Sequence, residues 1–189
     1  MRIVGGKFSG LTLAAPADRA IRPSSDRLRE AVFNILQHRF DDAAAGARVL
    51  DLFAGTGALG LEALSRGARS ALFIDVSAAS RALVRRNLEA AGVMGLARIS
   101  RRDATHLGPA NGKGEFTLVF LDPPYGKKLA EGALKSLTHG DWLADGALLA
   151  VEEKAGVEIA LPAAYQREDA REYGDSQVLF LRYREPGGR

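Results

Sequence analysis

The sequence predicts an α/β protein with a mostly parallel sheet covered by helices on both faces. Three observations predict it. From residue 48 onward, short apolar runs alternate with segments of helical period, the signature of successive strand–helix–strand units. One run, Phe116–Leu121, is almost unbroken in its apolarity, as expected of a strand buried on both faces. The chain then ends in two β-rich runs, Tyr165–Tyr173 and Gln177–Tyr183, joined through Gly174-Asp175-Ser176. They read as a closing antiparallel hairpin.

Taken in order, residues 2–5 and 11–14 form two short strands joined through Gly5-Gly6-Lys7-Phe8-Ser9-Gly10, a glycine-rich hairpin with a basic, aromatic tip. A loop runs from Pro16 to Pro23. Ser24 or Ser25 then caps a helix whose Leu28, Ala31, Val32, Ile35 and Leu36 recur at helical spacing. Arg27, Arg29, Glu30 and Asn34 fall on its other side. Asp41–Gly46 links this N-terminal extension, residues 1–40, to a main domain spanning 41–189. There Arg48–Leu52 is the first main strand, and the following helix runs to about Arg66, where Gly67 stops it. Ser70–Ile74 is the second strand, and Ser77–Ala91 a helix closed by Gly92. Leu96–Ser100 is the third strand and Phe116–Leu121 the fourth. Lys127–Leu137 is helical, and Gly146–Glu152 is the fifth strand.

The bulk numbers exclude several classes. The chain of 189 residues is 47% hydrophobic and 26% charged, which fits a globular protein and not a disordered one. It has no cysteine, so disulfides and thiolate metal sites are ruled out, and its three histidines show no metal-ligand spacing. No metal is expected. The start lacks an apolar signal region and no run approaches membrane-spanning length, so a cytoplasmic protein without membrane contact is expected. The net charge is +3, and residues 1–39 carry seven basic against three acidic residues. A basic front end on a near-neutral body suits a surface that contacts phosphates.

In open sheets of this kind, ligands sit beyond the carboxyl ends of the strands. Asp51, Asp75, Asp103 and Asp122 each fall at, or just after, the end of one of the first four main strands. Gly55-Thr56-Gly57-Ala58-Leu59-Gly60 matches a glycine-rich nucleotide turn. By itself that motif equally suggests a nicotinamide dinucleotide. Asp51, four residues before the first glycine, discriminates. A pyrophosphate at this helix N-terminus would be opposed by a nearby carboxylate, whereas the amino group and sulfonium of S-adenosylmethionine would be favoured. Asp75 is placed to take the ribose hydroxyls, and Asp103 to accept the adenine amine.

Asp122-Pro123-Pro124-Tyr125, directly after the buried strand, is the most specific motif. An exocyclic amine is a poor nucleophile because its lone pair is delocalised into the ring. The Asp122 carboxylate and the Pro123 carbonyl can accept its two N–H bonds and aim the lone pair at a methyl group. Proline has no N–H donor and fixes φ, so the turn holds its shape, and the Tyr125 ring can stack on a base. The motifs point to methylation of a nucleobase amine. An adenine N6 methyltransferase acting on DNA or RNA is the alternative at this stage, and an RNA-binding assembly factor that borrows the fold is the non-enzymatic one. Gly108–Gly114 looks like a phosphate loop but is one residue short, and Trp142 reads as core.

Asp51–Ala68, Asp122–Tyr125, Gly5–Leu13, the block Arg22–Leu36 and Tyr173-Gly174-Asp175 together resemble the RsmD family, which methylates guanine N2 in bacterial 16S rRNA. The likeness spans the chain in order. Ser24 stands where that family more often has Thr, Asp75 where it often has Glu, and Ser9-Gly10-Leu11 where the hairpin tip is usually more basic. The resemblance implies a class I methyltransferase fold with a seven-stranded, Rossmann-like sheet, plus an N-terminal hairpin that helps to hold RNA. It implies a substrate that is the small ribosomal subunit, assembled or assembling. On this reading Asp51, Phe53, Gly55, Thr56 and Gly57 shape the methionine end of the donor pocket, Asp75 holds the ribose, and Asp103 with Ala104 lies at the adenine. S-adenosylhomocysteine is the product. Asp122, Pro123, Pro124 and Tyr125 form the catalytic pocket. Arg2, Lys7, Arg19, Arg22, Arg27 and Arg29 are the phosphate-contact candidates, with Arg22 placed either there or beside the active site. A monomer is expected.

Overall fold

The computed structural model describes residues 1–16, 26–110 and 115–187. Its elements follow one another as α1 (Asp26–His38), β1 (Arg48–Leu52), α2 (Ala58–Ser65), β2 (Ser70–Ile74), α3 (Ala78–Ala91), β3 (Ala97–Ser100), β4 (Phe116–Leu121), α4 (Leu129–His139), β5 (Leu143–Lys154), β6 (Tyr165–Tyr173) and β7 (Ser176–Tyr183). One seven-stranded sheet has the order β3-β2-β1-β4-β5-β7-β6. The first five strands pair in parallel, and β7 joins β5 and β6 antiparallel. The chain winds outward from β1 in one direction and from β4 in the other, so the crevice between these two is the topological switch point.

Strand alternation divides the core into two layers. Val49, Leu118, Phe120, Leu148 and Ala150 face one side with α1, α2 and α3. Leu50, Leu52, Val119, Leu121, Leu149 and Val151 face the other, where α4 packs through Ala130, Ala133, Leu134 and Leu137. Trp142 belongs to this second layer, stacked on Phe116 at 5.9 Å, and its indole N–H donates to the Gly108 carbonyl at 2.8 Å.

The N-terminal residues have no core of their own. Ile3, Leu13, Leu28, Val32, Phe33 and Leu36 are part of the first layer, with the Phe33 and Phe120 rings 5.4 Å apart. Residues 2–13 fold back as expected, but only Arg2 and Thr12 form a ladder bridge. Ile3 N–H donates across the hairpin to the Leu11 carbonyl at 2.9 Å and Leu13 N–H to the Met1 carbonyl at 3.1 Å, while N–H groups nearer the tip turn to α2. Val4 donates to Glu62 Oε2 at 2.9 Å, Phe8 to Ser65 Oγ at 2.8 Å and Lys7 to the Ser65 carbonyl at 2.7 Å. This approach to α2 needs Gly6, whose φ is +76° and whose missing Cβ would sit 2.1 Å from the Ser65 carbonyl oxygen.

The bounds of β3, α4 and β5 differ from expectation. Leu96 lies in a 3₁₀ turn, Met94–Leu96, so β3 starts one residue later. Lys128 takes a left-handed φ of 53° after the proline turn, which delays α4. β5 runs from Leu143 to Lys154 because an irregularity opposite Phe116–Leu118 absorbs Asp145-Gly146, and because its far end pairs with Ser176 of β7.

Candidate active site

The carboxyl ends of β1, β2, β4 and β5 open into a cavity of about 850 Å³, large enough for a nucleoside-sized ligand. It is lined on one side by Asp51, Phe53, Gly55, Thr56 and Asp75, and on the other by Asp122, Pro123, Pro124, Tyr125, Glu152 and Ser176. The pairing register explains the arrangement. Leu52 lies opposite both Ile74 and Leu121, and Leu121 opposite Val151. The next residues along, Asp75, Phe53, Asp122 and Glu152, therefore form a row across the sheet edge.

The loop after β1 is held by its own backbone and by the acid that follows β2. Gly57 donates to the Ala54 carbonyl at 2.7 Å, and Gly55 N–H donates to Asp75 Oδ2 at 2.9 Å. Asp75 Oδ1 accepts the Ser77 N–H at 2.8 Å, so this carboxylate ties the loop to the start of α3. Phe53, at φ 58°, is a non-glycine residue in the left-handed region, a strained conformation of the kind found at functional sites. The buried Asn87 of α3 donates to the Thr56 carbonyl at 2.9 Å and also bonds both backbone groups of Ala14. The N-terminal segment is thereby fastened to the loop.

Asp51 is 1% exposed, and its Oδ2 accepts the Gly60 N–H at 2.9 Å. Burial pushes its carboxyl well above the usual range, against the pull of the Gly60 N–H, and the Asp122 and Asp75 charges push it the same way. Asp51, Asp75 and Asp122, with Glu152 and Glu172 lining the same cavity, make a site that gains from a cationic ligand. That fits the amino and sulfonium groups of S-adenosylmethionine and opposes a dinucleotide pyrophosphate. On the acceptor side, Tyr125 donates from its hydroxyl to Glu152 Oε1 at 2.6 Å and lies 2.8 Å from Ser176 Oγ. The ring is therefore anchored from its far end across β4, β5 and β7.

Not every candidate residue joins this cavity. Gly57, Asp103 and Ala104 are not among its lining residues; Gly57 packs toward Val84 and Phe73 behind the loop. Asp103 Oδ1 accepts from Thr105 N at 2.8 Å and Thr105 Oγ1 at 2.7 Å, capping a short 3₁₀ turn. Those bonds hold its carboxyl below the usual range, and Ala104 is buried in the second core layer. Arg2 and Lys7 are exposed, and Arg27 is exposed where α1 meets the cavity. Arg19 and Arg22, with the Ser24 or Ser25 cap, lie outside the described residues.

Arg29 must be corrected. It is 0% exposed and cannot contact phosphate in this fold. Its guanidinium bonds Asp26 Oδ1 at 2.9 Å, Glu62 Oε2 at 3.4 Å and the Arg2 carbonyl. Glu62 is equally buried and also pairs with Arg66 at 2.9 Å. The polar side of α1 packs on α2, so the arginine satisfies a buried acid.

Glu152, Ser176 and Val76 line the cavity without having been singled out in the sequence. A signal for Glu152 was present, since it closes the fifth strand as bounded from the sequence, Gly146–Glu152, as acids mark the ends of the first four. Val76, next to Asp75, is a large apolar residue left 61% exposed. Nothing in the sequence marks Ser176, which reaches the site through the β5–β7 pairing.

The sheet order, the glycine loop after β1 and the acids that end β2 and β4 define the class I methyltransferase fold. The comparisons agree. The family described as "Conserved hypothetical protein 95" matches residues 1–182. "Ribosomal RNA small subunit methyltransferase D" of Escherichia coli K12 is 40% identical over 162 residues, covering 86% of this chain and 78% of that protein. "Putative rRNA methyltransferase YlbH" of Bacillus subtilis is 35% identical, covering 84% and 85%. The solved structure "Putative methyltransferase yhhF" of Escherichia coli superposes with a TM-score of 0.83 at 32% identity, over 98% of this chain and 99% of that one. The chain belongs to the RsmD family of methyltransferases.

Proposed function

We propose that this protein methylates the exocyclic N2 amine of one guanine in 16S rRNA, acting as a monomer on the small ribosomal subunit or an assembly intermediate in the cytoplasm. The observation that carries the reading is the adjacency of two half-sites. Asp122-Pro123-Pro124-Tyr125 lies one strand away from the Asp51–Gly57 loop in one cavity. The names of the relatives support rRNA as the substrate class.

S-adenosylmethionine, when bound, supplies a methyl group on a positively charged sulfur and leaves as S-adenosylhomocysteine. Asp51 and Asp75 would counter its positive charge, the Gly55–Gly57 turn would admit its methionine end, and Asp75 and Val76 would stand at its nucleoside end. Asp122 and the Pro123 carbonyl accept the two amine hydrogens. This favours a pyramidal nitrogen and points its lone pair toward the donor side. Tyr125, held by Glu152 and Ser176, walls the base pocket. The amine lone pair would take the methyl carbon from the bound donor, and the proton displaced from the amine would pass to the Asp122 carboxylate or to water. The protein contributes mainly position and fixed charge. The target base must be unstacked or flipped to enter, and the exposed Arg2, Lys7 and Arg27 are placed to hold the flanking phosphates.

The test is transfer of labelled methyl from S-adenosylmethionine to unmethylated small subunits, naked 16S rRNA and duplex DNA, with the modified nucleoside identified. N2-methylguanosine in rRNA is the expected product. N6-methyladenine would overturn the guanine assignment, and label in DNA the substrate class.

A further inference from the structure

We infer that Glu152 is the residue that selects guanine, by accepting the N1–H of the base whose N2 amine Asp122 holds. The inference rests on the guanine reading above and says how that base is told from adenine.

The register sets the geometry. Leu121 of β4 pairs with Val151 of β5, so Asp122 and Glu152 follow side by side on neighbouring parallel strands, which lie about 4.8 Å apart. Both line the cavity. Glu152 is only 8% exposed. Its Oε1 accepts the Tyr125 hydroxyl at 2.6 Å, which fixes the carboxylate against the wall of the base pocket. An ionised carboxylate offers about four acceptor sites on two oxygens, and one hydroxyl does not exhaust them. A nearly buried carboxylate is costly to keep from water without donors. A neutral ligand that brings an N–H there removes the cost.

Guanine presents two donors on adjacent ring positions, the N2 amine and N1–H. Two carboxylates from adjacent strands match that pair, one for each. Adenine carries an unprotonated N1 beside a C2–H. Turned to offer its own amine to Asp122, it would set the N1 lone pair against the Glu152 carboxylate. Sites built to hydrogen-bond a donor reject analogues lacking it by about 10⁴-fold. A role limited to anchoring Tyr125 would give no preference between bases.

The experiment compares small subunits that carry either guanine or 2-aminopurine at the nucleotide the wild-type protein methylates, mapped first. 2-Aminopurine keeps the 2-amine but has an unprotonated N1. Wild type is expected to prefer guanine in kcat/KM by at least about 10²-fold. Glu152→Gln keeps an acceptor for Tyr125 and places a carboxamide N–H where N1–H would be met. It is expected to lose at least about 10²-fold on guanine and to use 2-aminopurine as well as, or better than, wild type. Its affinity for S-adenosylmethionine by calorimetry and its thermal midpoint should stay at wild-type values. Tyr125→Phe should lower the rate on both bases and keep the guanine preference. Equal losses on both bases for Glu152→Gln, or no loss, would overturn the inference. So would a wild-type protein that does not distinguish the two bases, a result that needs no variant. Methylation of adenine by wild type would instead sink the guanine reading itself, and this inference with it.

Discussion

The Asp51 carboxylate and the Gly60 backbone N–H meet at 2.9 Å at the buried start of α2, and only glycine permits the approach. A Cβ on residue 60 would sit 2.4 Å from Phe73 Cε1 and 3.0 Å from Asp51 Oδ2. Phe73 is itself fully buried in β2. The third glycine of the loop thus serves the packing of helix on sheet, and through it the aim of the acid.

Gly60→Ala is expected to destabilise the protein by about 1–3 kcal/mol, the usual cost of overpacking a core, and to weaken S-adenosylmethionine binding. Denaturant unfolding and calorimetry check both. Unchanged stability would mean that Phe73 moves freely.

Asp51 makes stability depend on pH in a definite direction. Its folded-state carboxyl titrates well above the usual range because it is buried, so the folded protein binds the proton more tightly than the unfolded chain. This group's stabilising contribution is fully present below the ordinary carboxylate range and is lost as pH rises through the raised value. Asp51→Asn, which can still accept from Gly60, should therefore raise the thermal midpoint of the ligand-free protein at pH 8. A domain of this size gains about 2–4 °C per kcal/mol, and the difference should shrink toward pH 4. The same variant should bind S-adenosylmethionine more weakly. A lower midpoint at pH 8 would contradict the assignment.

Arg27 and Arg29 are neighbours in α1 with opposite fates, one exposed and one 0% exposed. Arg29→Ala leaves Glu62 short of a buried partner and is expected to cost about 3–5 kcal/mol of stability. Arg27→Ala should leave the thermal midpoint alone and weaken RNA binding, reducing the log–log salt slope by about 1. Melting curves and binding titrations at several salt concentrations separate the two. An Arg29→Ala protein of full stability with impaired RNA binding would instead place Arg29 at the RNA.

How much could be read beforehand depended on how local each cause was. β1, β2 and β4 are short apolar runs, with Asp75 and Asp122 directly after β2 and β4 and Asp51 one residue from the end of β1, and their ends were legible because burial on both faces leaves few alternatives. The full length of β5 was not. Asp145-Gly146 looks like a turn in isolation, and only pairing with β4 and β7 carries the strand past it. The same distinction holds at the site. Asp51, Asp75 and Asp122 were legible from their position at strand ends. Asp103 obeys that rule too, yet Thr105 two residues on draws its carboxylate into a cap. Arg29 was misread because helix periodicity shows which side is polar but not whether another helix covers it. Glu152 followed the rule on the fifth strand and went unread, because its partners Tyr125 and Ser176 come from distant parts of the chain.

The most direct test of the central claim, that Asp122 holds the amine which accepts the methyl, is kcat of Asp122→Asn on unmethylated small subunits, with S-adenosylmethionine affinity measured alongside. An amide at this position has one acceptor oxygen, no charge and a competing N–H. A fall of at least about 10²-fold in kcat with donor affinity retained is the predicted result. A kcat within a few-fold of wild type would show that the amine is oriented by some other group, and the account of this site would be wrong.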